Sequence, residues 1–363
     1  MKILHIVGDT FDFKNGIAII SHELTEELSR KGIQAEILLL RPTEATSTYP
    51  IHQNIDDFRI FFENQNYDLA VFHGVYRYNY TKIAKQLRKR KITYLIRPHS
   101  SLMKASFRKS WLKKRIALLT IFRAFIKYSY AIVFSNEEEH LNSILRSKKY
   151  YIEQNGIKLG KVDLLRFKPK VEYTDITELL FLSRIDFSHK GIDFLVKGFE
   201  KFKLKRESEN VHLSIYGKGS TKDELKLNKL IKNIPDIGFY GPAFGKEKDE
   251  LLSRTDILML TSRYEGFPTI LIDVLCKGIP VIITPGTNAA YFQNEGVGWL
   301  ADLSADSIAE TIERAIYDYK DNKKEIIERC INFAIQNFDI TKNIENSIEL
   351  YSEVIQNTNE NPN

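Results

Sequence analysis

The chain has 363 residues, 43% hydrophobic and 28% charged, a soluble-globular composition that excludes a disordered or fibrous protein. At roughly 150 residues per domain the length predicts about two domains, each able to bury its own core. The net charge of +6 hides an asymmetry: no acidic residue lies between Asp68 and Glu137, and those 68 positions hold 16 of the 53 Lys and Arg. The rest of the chain is therefore net acidic, and the cationic stretch suits an anionic membrane, nucleic acid or an acidic substrate.

Two cysteines, Cys276 and Cys330, exclude a disulfide framework and point to a reducing cytoplasm. The N-terminal run before Asp9 and Asp12 is too short for a signal peptide. No 18-residue stretch is both apolar and free of charge, so no membrane-spanning helix is expected, and a membrane contact would be peripheral. No Cys or His pair has zinc spacing, so no metal is expected.

In chain order, Lys2–Gly8 reads as a buried parallel strand. Gly16–Arg30 has helical spacing through Ile17, Ile20, Leu24 and Leu28, and Gly32 ends it. Strands follow at Ala35–Leu40, Asp68–Phe72, Thr93–Ile96 and Ala131–Phe134. The segment 160–175 reads as a linker. A second series places strands at Leu179–Leu182, His212–Tyr216, Gly238–Tyr240, Ile257–Leu260 and Pro280–Thr284. Helices between them are predicted at Ile192–Glu207, Lys222–Ile231, Lys246–Ser253 and Thr269–Lys277. After Ala305 the chain is helical almost to a polar, disordered tail from Asn357. This α/β alternation predicts two Rossmann-like, doubly wound domains facing across a cleft, with ligands at the carboxyl ends of the strands. The boundaries read as 1–165, 166–345 and a helix end and tail at 346–363.

The richest stretch is 261–280. A strand ends in a loop holding Glu265, Gly266, Phe267 and Pro268, and a helix begins at Thr269. Amides at a helix start favour an anion, and carboxylates accept hydrogen bonds from sugar hydroxyls. Glu265 and Asp273 could so face one ligand at two heights; otherwise Glu265 caps the helix and Asp273 is solvated. Arg184 follows a strand and Lys190 precedes Gly191 and a helix, a pair of cations able to clamp a diphosphate or simply two surface charges. The loop before Gly16 lacks the dinucleotide-binding glycine spacing, which disfavours nicotinamide or flavin. Gly16 either admits a phosphate or only starts a helix. His73 and His99 each follow an apolar strand, and His99 is the better catalytic candidate because Ser100 and Ser101 follow it. His189 lies in the Arg184–Lys190 loop.

Together these stretches resemble the retaining glycosyltransferases of family 4 (glycosyl transferases group 1), with the two-Rossmann GT-B fold, over roughly residues 1–345. Glu265-Gly266-Phe267-Pro268 followed by Asp273 resembles the family's paired-acid signature, and Arg184 with Lys190-Gly191 its basic element. Tyr216-Gly217-Lys218-Gly219, Phe239-Tyr240-Gly241, Gly278-Ile279-Pro280 and Asn155-Gly156-Ile157 match further segments in order. The resemblance implies that Arg184 and Lys190 neutralise the donor diphosphate. It further implies that Glu265 contacts the donor sugar, the amides of Gly266–Thr269 hold sugar and phosphate, Asp273 binds ribose, Gly16 nears the diphosphate and His99 lies by the transferred sugar. Gly217, Tyr240 and Gly241 would line the donor site, and the C-terminal helix would cross back to the first domain. Departures are Asp273 for the second glutamate, Asn15-Gly16 for a glycine pair, Ser183 before Arg184, and the lack of a glycine-glutamate pair in 285–290.

The implied activity is a retaining, metal-independent, cofactor-free transfer from a UDP-, GDP- or ADP-sugar to a hydroxyl of a glycan or lipid-linked acceptor, in bacterial surface polysaccharide synthesis. The alternatives are a nucleotide-sugar epimerase or phosphorylase, or an inactive sugar-nucleotide binder at a membrane surface. Nucleic acid is not an expected partner, since no nucleic-acid motif accompanies the basic run. Within the basic 82–127 segment the densest part, 104–127, plots as one amphipathic helix. It packs on the sheet, docks the protein peripherally on anionic lipid at the inner face of the cytoplasmic membrane, or does both, with its start on lipid and its end in the core.

Overall fold

A computed structural model describes all residues except 9–15, 44–46, 109–110, 147, 160–175, 208 and 361–363. The predicted 160–175 linker lies outside the described residues. The chain divides into two units, Met1–Lys158 with Phe338–Asn363, and Leu159–Asn337.

The first unit begins with β1 (Lys2–Val7), α1 (Gly16–Arg30), β2 (Gln34–Leu39) and β3 (Ile51–His52). Then come α2 (Phe58–Glu63), β4 (Leu69–His73), α3 (Tyr78–Lys89) and β5 (Thr93–Arg97). Next are α4 (Lys104–Arg108), α5 (Trp111–Leu119), α6 (Arg123–Lys127), β6 (Ala131–Phe134), α7 (Glu137–Leu141) and β7 (Tyr150–Ile152). The sheet order is β3-β2-β1-β4-β5-β6-β7 with every pairing parallel. The apolar runs of β1, β4 and β5 are buried on both faces because helices cover both sides.

The second unit begins with β8 (Thr177–Leu182), α8 (Phe187–Lys190), α9 (Ile192–Lys205), β9 (Val211–Tyr216), α10 (Thr221–Ile231) and β10 (Ile237–Phe239). It continues through α11 (Gly245–Ser253), β11 (Ile257–Leu260), α12 (Thr269–Leu275), β12 (Val281–Ile283), β13 (Gly298–Leu300) and α13 (Ala305–Asn337). Its parallel sheet runs β10-β9-β8-β11-β12-β13. Strand order reverses beside β1 and β4 in one sheet and beside β8 and β11 in the other, which are the positions where such sheets bind ligands. Side chains start several helices: Asp57, Asn136, Asp186 and Ser220 each accept a backbone N–H at the first turn of α2, α7, α8 and α10.

Three readings need correction. Residues 338–345 belong to the first unit rather than the second, because Ile157 N donates to Phe338 O and Ile340 N to Ile157 O, each at 3.0 Å. The last helix, α14 (Ile340–Glu360), continues past Asn357, so the supposed disordered tail is helical through Glu360. Its Ile344, Leu350, Tyr351 and Val354 pack with Ile3, Leu24, Leu28 and Val71, each burial worth roughly 1.5–3 kcal/mol. Gly156 sits under this crossover: a Cβ there would lie 3.1 Å from Ile340 Cβ. Finally, the single amphipathic helix at 104–127 is interrupted at 120–122, between α5 and α6, while 109–110, between α4 and α5, lie outside the described residues. Phe122 and Phe125 reach the core, whereas α5 buries no residue and Trp111, Leu112, Ile116 and Leu119 are each more than half exposed. Ala117 and Leu118 of the same helix are partly buried against that core, so α5 packs by one edge and leaves the other four apolar side chains exposed.

Candidate active site

In the second unit the site grows from the carboxyl ends of β8 and β11. After β8 the chain turns over the glycines that follow β9. A Cβ on Gly217 would lie 1.8 Å from Ser183 O, and one on Gly219 2.4 Å from Ile185 O. Only a residue without a side chain admits this approach, so Gly217 shapes the Arg184 loop. Gly217 N donates to Gly241 O at 2.8 Å, and the half-exposed Tyr240 ring stacks on Tyr216 at 5.2 Å. Asp186 starts α8, and Gly191 at φ 62 ends it and begins α9. Its missing Cβ would fall 2.0 Å from Thr261 O, at the end of β11. The two strand ends are thereby locked together.

This lock carries Lys190 to Glu265. Both are buried, 8% exposed, and the Lys190 ammonium donates to Glu265 Oε1. Ser262 Oγ donates to the same oxygen at 2.7 Å, and His189 Nε2 lies 3.5 Å from Oε2. Burial is the largest single influence and raises the Glu265 carboxyl, but the Lys190 charge and the contacts with His189 and Lys190 together outweigh it and hold the group at about 2. Glu265 is therefore ionised at neutral pH. It does not cap α12, whose N-cap is Pro268 with no side-chain hydrogen bond. Lys190 is not the free cation its sequence context implies. An ammonium has three donors, so one bond to Glu265 leaves two.

Arg184 is exposed, and its guanidinium donates to His189 Nδ1 at 3.1 Å. Since guanidinium cannot accept, His189 Nδ1 is the acceptor. Its Nε2–H then donates to Tyr264 O at 2.6 Å, with the two rings stacked at 4.3 Å. His189 thus ties Arg184 to the Glu265 loop. Asp273 lies elsewhere on α12 and pairs with Lys248 Nζ at 2.5 Å; it is neither bonded to Glu265 nor simply solvated. Phe267 is buried edge-on against Phe292, and Gly266 and Pro268 are also buried, with Thr269 half-buried. Gly16 opens α1 in the first unit, and the loop before it lies outside the described residues.

Several supporting residues escaped sequence reasoning. Asn288, fully buried at φ 54, donates through Nδ2 to Glu265 O at 2.7 Å and Gly266 O at 3.1 Å. It fixes the loop from the segment that departs from the family pattern. Arg263 makes a two-pronged pair with Asp193 at 2.8 and 3.0 Å and donates to Phe187 O. An Asn two residues after Pro-Gly was the available signal for the first; nothing local marked the second.

In the first unit His99 follows β5 and is half-buried. Its Nε2 lies 3.0 Å from Nδ1 of the buried His73, whose Nε2 lies 3.1 Å from Nδ1 of the buried His5. His99 and Ser100 have φ of 45 and 67, a left-handed pair unusual outside glycine. Buried Glu139 holds that turn: Oε1 accepts Ser100 N at 2.7 Å, and Oε2 accepts Ser135 N at 2.9 Å and Ser135 Oγ at 2.7 Å. Nearby, Arg97 pairs with Glu153 at 3.1 Å and donates to Asn155 Oδ1 at 3.1 Å, which gives the Asn155-Gly156-Ile157 stretch a structural role.

Comparison with known proteins agrees with this architecture. Residues 165–336 match the family model described as glycosyl transferases group 1. An uncharacterized glycosyltransferase of Methanocaldococcus jannaschii is 26% identical over 47% of this chain and 46% of its own length. The UDP-Gal:alpha-D-GlcNAc-diphosphoundecaprenol alpha-1,3-galactosyltransferase of Escherichia coli is 24% identical over 58% of this chain and 57% of its own. Each match thus spans about half of the relative. The crystal structure of Anabaena Alr3699/HepE in complex with UDP-glucose superposes with a TM-score of 0.74 at 14% identity, covering 97% of this chain and all of that one. The chain has the GT-B fold, and its residues 165–336 match the model of the glycosyl transferases group 1 family.

Proposed function

We propose that the protein is a retaining glycosyltransferase that moves a sugar from a UDP-, GDP- or ADP-sugar to a hydroxyl of a glycan or lipid-linked acceptor, in surface polysaccharide synthesis. The observation that carries this is the buried Lys190–Glu265 pair beside Arg184 at the switch point of the second sheet. Departure of a nucleoside diphosphate creates negative charge, and cations fixed in place stabilise it selectively in the transition state. Arg184, tied by His189, and the remaining donors of Lys190 supply that charge. Glu265, ionised and oriented, accepts from hydroxyls of a sugar that gains oxocarbenium character. Asp273, one methylene shorter than the family's glutamate, is the proposed ribose ligand, with Lys248 as its competitor. Gly16, Gly217, Tyr240, Gly241 and the loop Gly266-Phe267-Pro268-Thr269 complete the proposed donor site, and His99 the proposed sugar side.

The test is product analysis after incubation with UDP-, GDP- and ADP-sugars and a panel of glycan and polyprenyl-diphosphate-sugar acceptors. A product with a new glycosidic bond in the donor's anomeric configuration, formed equally in EDTA, is expected. Inversion refutes the retaining assignment, and an epimerised nucleotide sugar without acceptor favours the epimerase alternative.

The acceptor side is proposed to rest on anionic lipid. Helix α5 exposes Trp111, Leu112, Ile116 and Leu119. An apolar pocket of about 570 Å³ beside it is lined by Phe107, Trp111 and Leu118 together with Arg115, Arg123 and Lys127. No helix among the described residues is long and apolar enough to cross a membrane, and exposed apolar side chains interspersed with cations suit the interface instead. Flotation with vesicles containing anionic lipid is expected, and Trp111→Asp should abolish it. Equal, negligible flotation with neutral and anionic vesicles removes this claim.

A further inference from the structure

His5, His73 and His99 form a hydrogen-bonded chain through the first sheet, from β1 through β4 to the turn after β5. His5 and His73 are 0% and 2% exposed, whereas His99 is half-buried. Burial, reinforced by the Arg97 charge, lowers His5 and His99 to about 3 and His73 far below its ordinary value, so all three rings are neutral at pH 7.

A neutral imidazole carries one N–H and one lone pair. Each of the two nitrogen–nitrogen contacts needs one hydrogen, so a single choice of direction fixes all three tautomers. The inner end decides it. His5 Nε2 is buried with no hydrogen-bond partner among the described residues. If the bonds ran inward, from His99 to His5, that nitrogen would carry an orphaned N–H. If they run outward, it keeps only a bare lone pair, the less costly defect. Around this end stand Arg97, engaged by Glu153 at 3.1 Å, and Tyr351, which donates to Glu153 Oε1 at 2.9 Å. His73 is further held by its own carbonyl, which accepts from Tyr80 at 2.7 Å.

We infer that His5 and His73 are positioning residues that lock His99 in the tautomer with its hydrogen on Nδ1, so that the outer imidazole presents a hydrogen-bond donor to an oxygen of the transferred sugar. The sugar as ligand rests on the proposed function; the tautomer does not. Glu139 fixes the backbone of the same turn, so both the ring's place and its hydrogen are set before any ligand arrives.

The test is long-range proton–nitrogen correlation NMR on full-length protein labelled with ¹⁵N-histidine, which separates Nδ1–H from Nε2–H rings and needs no substrate. The wild type should show His99 as a single Nδ1–H tautomer. An Nε2–H ring, or a mixture of both, overturns the inference. His73→Leu should release His99 into a mixture and, with the donor and acceptor that support turnover, lower kcat at least about tenfold while moving donor KM less than about twofold. His73→Asn places an amide N–H where Nδ1–H stood and should restore both the tautomer and most of kcat. An unchanged His99 tautomer in His73→Leu refutes the lock; should that variant fold poorly, the wild-type spectrum and His73→Asn still decide. A locked tautomer in a protein that transfers no sugar leaves the lock standing and sinks the proposed function instead.

Discussion

Replacing Lys190 with methionine strands Glu265 as a buried carboxylate without its cation. Both side chains are 10% exposed, so solvent cannot take over the lost partner. Breaking such a pair from one side costs about 3–5 kcal/mol. In a domain of this size each kcal/mol moves the midpoint by roughly 2–4 °C, so Tm should fall by roughly 6–20 °C. The remaining contacts, Ser262 Oγ at 2.7 Å and His189 Nε2 at 3.5 Å, are too few to compensate. The double variant Lys190→Met/Glu265→Leu removes both charges and should recover most of the loss, because an apolar replacement of a buried pair is often neutral. The assay is thermal unfolding at pH 7, followed through the second unit by fluorescence of Trp299 in Trp111→Phe protein. Activity should fall at least about tenfold in both variants, about 1.4 kcal/mol of barrier. The single variant melting within about 1 °C of wild type, with the double no more stable, would falsify the buried-pair reasoning.

Two further predictions follow from the same geometry. The buried histidines are neutral in the fold, while the unfolded chain takes up their protons below about pH 6.5. Stability therefore falls as pH drops from about 6.5 towards 3. At pH 5, His5 and His73 together should cost about 4 kcal/mol, read by urea unfolding at pH 7 and pH 5. Glu265, depressed to about 2, is stabilising above about pH 4.5 and loses that contribution only below it, so at pH 5 the histidine effect is read before the Glu265 effect sets in. Identical urea midpoints at both pH values would contradict the buried neutral chain. The second prediction concerns Gly191→Ala, which adds a Cβ 2.0 Å from Thr261 O at φ 62. It should cost at least about 2 kcal/mol and displace Lys190. Gly32→Ala, at φ 80 with nothing within 4 Å of the new Cβ, should cost only the backbone strain of about 1 kcal/mol. Equal melting points for these two variants would refute the close-approach reading.

Much of the fold was legible because buried parallel strands read as unbroken apolar runs. Gly16–Arg30, Ala131–Phe134 and Ile257–Leu260 stand in the structure at the predicted residues. Two- and three-residue strands such as Ile51–His52 and Gly298–Leu300 were not legible, since their identity comes from pairing with a neighbour rather than from local pattern. Periodicity misled at 104–127, where spacing alone cannot see the break at 120–122. Polar composition misled at Asn357–Glu360, where Thr358 and Asn357 bond back to Val354 and Glu353. Candidate site residues were nameable from motifs, but their partners were not. Lys190 meets Glu265 across 75 positions and His5 meets His73 across 68, contacts created by sheet order that no local spacing encodes.

The central claim is that Arg184, Lys190 and Glu265 form a nucleotide-diphosphate-sugar site. Its most direct test is calorimetric titration of the wild type and of Arg184→Ala and Lys190→Met variants with UDP, GDP, ADP and CMP. The account predicts that one of the three diphosphates binds the wild type and that each substitution weakens it at least about tenfold, with CMP much weaker. Equal affinity for all four nucleotides, or unchanged affinity in both variants, would contradict it.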